Sequence, residues 1–337
     1  MIQEAISKLV VKENLAVSEA QAVMSEIMSG TATPLQIAAY LTALAIKGET
    51  KEEILGSALV MREKSTKVPH HQEKILDCCG TGGDDAFTFN VSTLVAFVVA
   101  AAGIPVAKHG NRSVSSKCGS ADLLSEAGVK LELSAEQVAR CIDEIEIGFI
   151  FAPLFHPAMK QVAPVRKELG FRTIFNLLGP LTNPANTTCQ IIGVFDEKLT
   201  EPLSEVAFNL GIRRNFVIHN LSKIDELATC ESNKISTFNN GKSETFYIEA
   251  QELGFAKIQK SQLRGGNSPE NLRIALAVLN GEDGAKRDVV ILNSALALVV
   301  SENVNDIKEG IKLAQELLDS KKALKKFQQF IEFTQKC

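Results

Sequence analysis

Asp77-Cys78-Cys79-Gly80-Thr81-Gly82-Gly83-Asp84 constrains this chain more than any other stretch, because it turns a strand abruptly into a helix. Ile75 and Leu76 run into Asp77-Cys78-Cys79 as a short buried strand. The glycines end it, and residues 94–102 are apolar enough for a buried helix. A glycine-rich turn of this kind lets backbone N–H groups gather round an anion, and the helix dipole adds to them. Asn90, Ser92 and Thr93 stand where the helix begins and are residue types that cap helices or hold ligands. Two familiar phosphate loops are excluded. No G-x-x-x-x-G-K-[ST] occurs, and Gly-Thr-Gly-Gly-Asp fails the G-x-G-x-x-G dinucleotide spacing.

From residue 74 onward, short apolar strands alternate with helices, which predicts βαβ units and a mostly parallel sheet. Further strands are expected at 104–107, 147–151, 190–194, 215–219 and 288–292, with helices at 157–169 and 201–210. Ser134 to Gln137 marks another helix start as a capping box. Residues 233–268 read as less regular, with a turn at Asn239-Asn240-Gly241 and a loop at Gly265-Gly266-Asn267-Ser268-Pro269. Residues 1–66 instead read as consecutive helices. Capping boxes at Ser18 to Gln21 and Thr50 to Glu53, a Thr33-Pro34 start, and stops at Gly30 and Gly48 punctuate them. The tail places Ile307, Ile311, Ala314 and Leu318 on one helical face and Leu324, Phe327 and Ile331 on another. The expected fold class is α/β: a small N-terminal all-helical domain plus a large α/β domain with a mostly parallel central sheet. Ile37-Ala38-Ala39-Tyr40-Leu41 is apolar almost all round, more than a small bundle needs, which points to a partner surface or packing on the second domain.

The 337 residues suffice for a substantial core, and 45% hydrophobic with 23% charged residues is ordinary for a soluble globular protein. A net charge of −4 gives no general attraction to nucleic acid or anionic membrane. The four lysines Lys321, Lys322, Lys325 and Lys326 read as a solvated helix side. Apolar runs are too short or interrupted to span a bilayer, and the first residues lack a signal-peptide pattern. Seven cysteines without metal-type spacing suit a reducing cytoplasm.

Three further segments carry chemistry. Lys108-His109-Gly110-Asn111-Arg112-Ser113-Val114-Ser115-Ser116 and Gly119-Ser120-Ala121-Asp122 follow the second strand, where ligands collect in open α/β sheets. Their cations, glycines and hydroxyls suit a polyphosphate, although a polar surface loop has the same composition. Asp225-Glu226 offers two carboxylates on a loop, a set that Mg²⁺ can share with substrate phosphates and waters. His156-Pro157 and Arg166 bracket a helix, and Arg166 is suited to a carboxylate. Arg172 to Pro184 is a link dense in proline and asparagine.

In this order and spacing the motifs resemble the anthranilate phosphoribosyltransferase family over nearly the whole chain. That resemblance implies a nucleoside phosphorylase/phosphoribosyltransferase-like architecture divided near residue 70, with 165–185 returning to the helical domain. It implies a homodimer built through the helical domains, and cytoplasmic tryptophan synthesis. Carried over by position, Gly80, Thr81, Gly82, Gly83, Asp84, Thr88, Asn90, Val91, Ser92 and Thr93 would hold phosphoribosyl pyrophosphate. Lys108, His109, Gly110, Asn111, Arg112, Ser113, Val114, Ser115, Ser116 and Ser120 would complete that site. Ser92, Asp225 and Glu226 match magnesium positions; Gly80, Asn111, His156 and Arg166 match anthranilate contacts. Lys108, Asn111 and Arg166 are the catalytic candidates. Two features depart from the family pattern: Asp85 stands where glycine is usual, and Ser222-Lys223-Ile224 replaces a glycine-rich lead-in to the acidic pair. A pyrimidine nucleoside phosphorylase, the nearest rival, would need Lys-His-Ser-Ser where this chain has Lys108-His109-Gly110-Asn111.

Overall fold

The computed structural model describes residues 1–83, 87–113, 117–239 and 241–337. Four helices open the chain: α1 (Ile2–Val10), α2 (Val17–Ser29), α3 (Pro34–Lys47) and α4 (Lys51–Glu63). The α/β part follows as β1 (Leu76–Gly80), α5 (Val91–Ala101), β2 (Val106–Gly110), α6 (Ser120–Glu126), α7 (Ala135–Ile145) and β3 (Ile147–Phe151). A helical excursion, α8 (Ala152–Phe155), α9 (Ala163–Leu169) and α10 (Ile174–Leu181), leads to β4 (Cys189–Gly193), α11 (Thr200–Asn209) and β5 (Arg214–Asn220). The hairpin β6 (Asn233–Asn239) and β7 (Lys242–Ile248) precedes α12 (Ser268–Leu279), α13 (Ala285–Val300), α14 (Ile307–Asp319) and α15 (Lys322–Lys336).

The seven strands lie in the order β3-β2-β1-β4-β5-β6-β7. The first five are parallel and the last two antiparallel. Successive side chains on a strand face opposite ways, and the sheet uses this to feed two cores. Ile191 and Ile218 pack with α5 and α13, whereas their neighbours Ile192 and Val217 pack with α11 and the N-terminal helices. Val165, Ile174, Phe175, Leu177 and Leu178 of the excursion join that second core. Arg62 of α4 fastens the arrangement, its guanidinium donating to the carbonyls of Leu181 and Leu210 at the ends of α10 and α11.

Five expectations need correction. Residues 288–292 are not a strand but the middle of α13, which is buried over most of its surface between α5 and α14. A run of β-branched residues reads alike in a buried strand and a buried helix, and only the neighbours decide. The box expected at Ser18 to Gln21 is displaced: α2 starts at Val17, with the Glu19 carboxylate accepting from the Ala16 N–H at 2.9 Å. The helix expected at 157–169 is broken into a 3₁₀ turn (Pro157–Gln161) and α9, because Pro164 has no N–H to give and its ring crowds the preceding turn. Pairing along β2 begins after Pro105 and runs on to Gly110, beyond the expected 104–107. Residues 233–248 form a hairpin; β7 is exposed along nearly its whole length, so no alternating pattern announced it.

Thr50 to Glu53 does cap α4, but Glu53 has a larger role than capping. Its fully buried carboxylate accepts from the N–H of Leu15 (2.9 Å), the N–H of Thr50 (2.8 Å) and Lys47 Nζ (3.0 Å). Glu53→Ala should therefore cost roughly 2–4 kcal/mol, because it strands a buried ammonium and two buried donors at once. Urea unfolding of the variant checks this, and a loss below ~1 kcal/mol would contradict it.

Candidate active site

β1 and β4 are neighbours, yet the chain leaves β1 toward β2 and β3 on one side and β4 toward β5 on the other. Their C-terminal ends bound the crevice where parallel sheets of this kind take ligands. Gly80 and Gly193 face each other across that pair. A Cβ on Gly80 would collide with the Asp225 carboxylate, and one on Gly193 with the Asp225 main-chain carbonyl. Two glycines thus let the acidic loop settle directly on the sheet edge. Asp225 Oδ2 there accepts from the Gly82 N–H at 3.1 Å, and Glu226 Oε2 from Thr88 Oγ1 at 3.4 Å. One small cavity is lined by Cys79, Gly80, Ser92, Asp225, Glu226 and Asn293, among others. Ser92, Asp225 and Glu226, from separate parts of the sequence, meet on its wall.

Lys108, buried on β2, donates to the carbonyl of Cys78 at 2.7 Å and to Ser92 Oγ at 3.2 Å. Burial works against its charge, but the neighbouring acidic groups Cys78, Cys79, Asp77 and Glu226 outweigh that and hold the ammonium above its ordinary pKa. Asp77 accepts from the His109 N–H at 3.2 Å and Gln190 Nε2 at 3.3 Å; burial pushes its carboxyl up to about 6 against the pull of Lys108.

In the glycine loop, the Thr81 N–H donates to the Gly193 carbonyl at 2.8 Å, and Gly82 and Gly83 take positive φ. Arg172 lies against Gly83, its Nε 2.8 Å from where a Cβ would stand, and stacks 4.6 Å over the Phe195 ring. Asp84 and Asp85 lie outside the described residues. Val91 is buried at the start of α5, so it can offer a ligand no side chain, and its N–H donates to the Phe89 carbonyl. Thr93 is buried one turn further, with no hydrogen-bond partner for Oγ1 among the described residues. Asn90 stands at the N-cap of α5, but its side chain donates to the Cys118 carbonyl at 3.1 Å instead of capping the helix.

After β2, Asn111 is exposed; its carbonyl accepts from the Ala121 N–H and Ser120 Oγ. Arg112 pairs with Asp122 at 3.0 Å and lies 5.7 Å over Phe151. Asp122 also accepts from the N–H groups of Ser113 (2.8 Å) and Gly119 (2.9 Å). Burial works against its charge, but these donors prevail and hold the carboxyl below its ordinary value. Val114, Ser115 and Ser116 lie outside the described residues.

His109 and His156 bring their rings to 5.1 Å. His109 Nδ1 meets the Gly179 carbonyl at 3.1 Å, so Nδ1 carries the proton and Nε2 the lone pair. At His156 burial outweighs the Thr182 backbone, which favours protonation. Burial pushes both rings far down, His109 to about 3 and His156 to about 4, so each is neutral at pH 7. Neither Nε2 has a hydrogen-bond partner among the described residues. Arg166, on α9, lies 5.4 Å over the Phe175 ring of α10. Among the described residues no hydrogen bond ties it to Gly80 or Asn111.

Sequence reasoning missed the groups that hold these loops. Asn293 of α13 grips both main-chain groups of Leu227, next to the acidic pair: Oδ1 accepts from its N–H at 3.0 Å and Nδ2 donates to its carbonyl at 2.8 Å. Asn220 and Asn233, also buried, bind each other at 2.9 Å and hold the carbonyl of Ala228 from two sides. Ahead of the acidic pair Lys223 takes a left-handed φ of 61°, and Lys260 Nζ binds the carbonyls of Ser222 (2.8 Å) and Lys223 (3.0 Å). The available signal was a lone asparagine in an otherwise apolar helix, since a buried amide must be hydrogen-bonded.

Residues 72–324 match the family described as glycosyl transferase family, a/b domain, and residues 3–65 its helical bundle domain. The chain is similar to the anthranilate phosphoribosyltransferase of Acetivibrio thermocellus, 52% identical over 99% of this chain and 97% of that one. It is similarly related to that of Petrotoga mobilis, 50% identical over 98% and 96%. Its fold is similar to the crystal structure of the Thermus thermophilus enzyme, with a TM-score of 0.93 at 40% identity over 98% of this chain and 99% of that one. The Saccharomyces cerevisiae enzyme in complex with PRPP and Mg gives a TM-score of 0.92 at 26% identity, over 100% and 98%. With such likeness along its whole length, the chain belongs to the anthranilate phosphoribosyltransferase family.

Proposed function

We propose that phosphoribosyl pyrophosphate and Mg²⁺ bind at the β1–β4 crevice and that anthranilate binds beside His109 and His156, with Arg166 taking its carboxylate. The chain is a phosphoribosyltransferase: it transfers the phosphoribosyl group of phosphoribosyl pyrophosphate to the amine of anthranilate and releases pyrophosphate, the second step of tryptophan synthesis from chorismate. The convergence of the glycine loop, Ser92, Asp225 and Glu226 on one cavity carries the placement. A Saccharomyces cerevisiae relative bound to 4-fluoroanthranilate supports the acceptor. Loss of anthranilate fluorescence on mixing the protein with both substrates and Mg²⁺ tests the reading as a whole.

Two carboxylates and a hydroxyl are hard oxygen donors, too few to enclose a cation but enough for one that keeps waters and phosphate oxygens, as Mg²⁺ does. Asp225, Glu226 and Ser92 would hold it, and when bound it would neutralise charge growing on the departing pyrophosphate. The amine of anthranilate is neutral at pH 7, so no strong base is required first. Its nitrogen bonds to C1 of the ribose as the bond from C1 to pyrophosphate oxygen breaks; pyrophosphate keeps the electron pair and the nitrogen sheds a proton. Lys108, held by the Cys78 carbonyl and Ser92, is fixed beforehand for the anionic side of that change. The neutral histidines suit the other side. The His109 Nε2 lone pair can accept an N–H, and neither neutral ring sets a positive charge beside a ribose becoming cationic.

Exposed Val10, Val11, Leu35 and Ile46 support a homodimer through the helical domain. Packing of Val165 and Ile174 to Leu178 against α1–α4 supports a division near residue 70 with a returning segment. Seven cysteines in no disulfide, most of them buried, support the cytoplasm.

Asp225→Asn with Glu226→Gln should lower the rate roughly a hundredfold at limiting Mg²⁺ and leave the melting curve alone; a magnesium titration that matches wild type would sink the metal assignment. Arg166→Ala should raise the KM for anthranilate, costing about 1.5–3 kcal/mol, or roughly ten- to a hundred-and-fifty-fold in kcat/KM. Equal KM changes for the two substrates would show that Arg166 merely packs on Phe175. The histidines also make stability depend on pH. Unfolded, each takes up a proton near pH 6.5, whereas the folded rings resist until about 4 and 3. The unfolded state therefore binds more protons across that window, and stability falls as pH drops, by up to about 1.4 kcal/mol per pH unit for each ring. Melting temperatures between pH 7 and 4 should decline less steeply for His156→Gln, and parallel slopes would refute the assignment.

A further inference from the structure

We propose that Asn271, on α12, is a positioning residue that orients Asn90 and through it locks the glycine-loop segment to the loop after β2. The proposal rests on the placement of phosphoribosyl pyrophosphate given above. Asn271 lies 181 residues from Asn90 in sequence. No motif includes it, and the segment before it reads only as a glycine-rich turn.

The hydrogen bonds form a chain whose two ends are fixed by backbone groups. The Gly266 N–H can only donate, and it meets Asn271 Oδ1 at 2.7 Å. That leaves Asn271 Nδ2 to donate to Asn90 Oδ1 at 2.9 Å. Asn90 Nδ2 must then point to the Cys118 carbonyl, which can only accept, at 3.1 Å. Each amide has one orientation that satisfies every partner, so neither can flip without breaking two bonds. Asn271 is 3% exposed, so water cannot readily replace what it gives.

The main chain reinforces the joint. The Gly265 N–H donates to the Phe87 carbonyl at 2.9 Å and the Phe89 N–H to the Leu263 carbonyl at 3.1 Å, around an antiparallel bridge between Thr88 and Arg264. A Cβ at Gly265 would stand 2.6 Å from Asn271 Oδ1 and 2.9 Å from the Phe89 Cα, so this approach requires glycine. Residues 263–271 thus brace residues 87–90 from behind. Asn90 passes that bracing on to Cys118, at the far end of the second loop. Both loops supply candidate contacts to one substrate, so a joint between them should act on that substrate alone.

The test is a double-mutant cycle read as separate KM values. Asn271→Leu removes both amide bonds, whereas Asn271→Asp keeps the acceptor for Gly266 and loses the donor to Asn90. Both should raise the KM for phosphoribosyl pyrophosphate at least tenfold and leave that for anthranilate within twofold. Asn90→Ala should raise the same KM, and adding Asn271→Leu to it should then change nothing further. Independent multiplication of the two effects would overturn the proposal, as would a wild-type KM in Asn271→Asp. If Asn271→Leu does not fold, the cycle is read with Asn271→Asp. A normal KM in Asn90→Ala alone would instead refute the underlying site placement, which separates the two failures. A fall in melting temperature with both KM values rising equally would mark Asn271 as a structural residue and overturn its positioning role.

Discussion

Asp225 rests on two glycines, and much of the active site follows from that contact. Because neither Gly80 nor Gly193 carries a side chain, a carboxylate can approach the end of a parallel sheet closely enough to accept a main-chain N–H of the glycine loop. The same approach sets Glu226 beside Thr88 and both acids beside Ser92. A negative charge brought to the mouth of an anion-binding turn would be unfavourable by itself. A cation shared between acids and phosphates, as proposed above, would resolve the conflict by relieving the electrostatic frustration of the free site.

Such a loop needs rigid support, and the protein provides it with neutral amides. Asn220, Asn233 and Asn293 satisfy the main chain around the acidic pair, and Asn271 joins the main chain of Gly266 to the side chain of Asn90. Amides suit this work because they donate and accept at once without adding further charge beside the acidic pair. Lys260 compensates another peculiarity. It neutralises carbonyls of a turn in which Lys223, not glycine, adopts the left-handed conformation. The unusual lead-in is thereby accommodated by a distant side chain.

Packing of α9 and α10 against the N-terminal helices makes the histidine pair depend on both parts of the chain. His109 is held by the Gly179 carbonyl of α10, and the His156 ring lies 5.1 Å from that of His109. Arg62 then ties that helix end to α4. Displacement of α10 relative to the sheet would disturb both rings together, which links the packing of the helical part to the chemistry of the crevice.

Local patterns were enough to read the strand–glycine–helix unit, the parallel strands β1 to β5, the helical start, and the motifs whose order marks the family. These depend on periodicity, turn chemistry and residue type, all carried by neighbours in sequence. The same patterns could not tell α13 from a strand, because Val289 to Leu292 are apolar in either geometry and burial on all sides erases the period. They missed β7 for the opposite reason, exposure on both faces. Nor could they reveal the Gly80–Gly193 seat, the histidine pair or the supporting asparagines. Each depends on strand order or on contacts between different elements, which for Leu227 and Asn293 lie 66 residues apart. Sequence by itself determined which chemical groups this protein carries and the local elements that bear them. Tertiary structure alone decided which of those groups meet, because the order of strands in a sheet is set by the packing of all its layers at once.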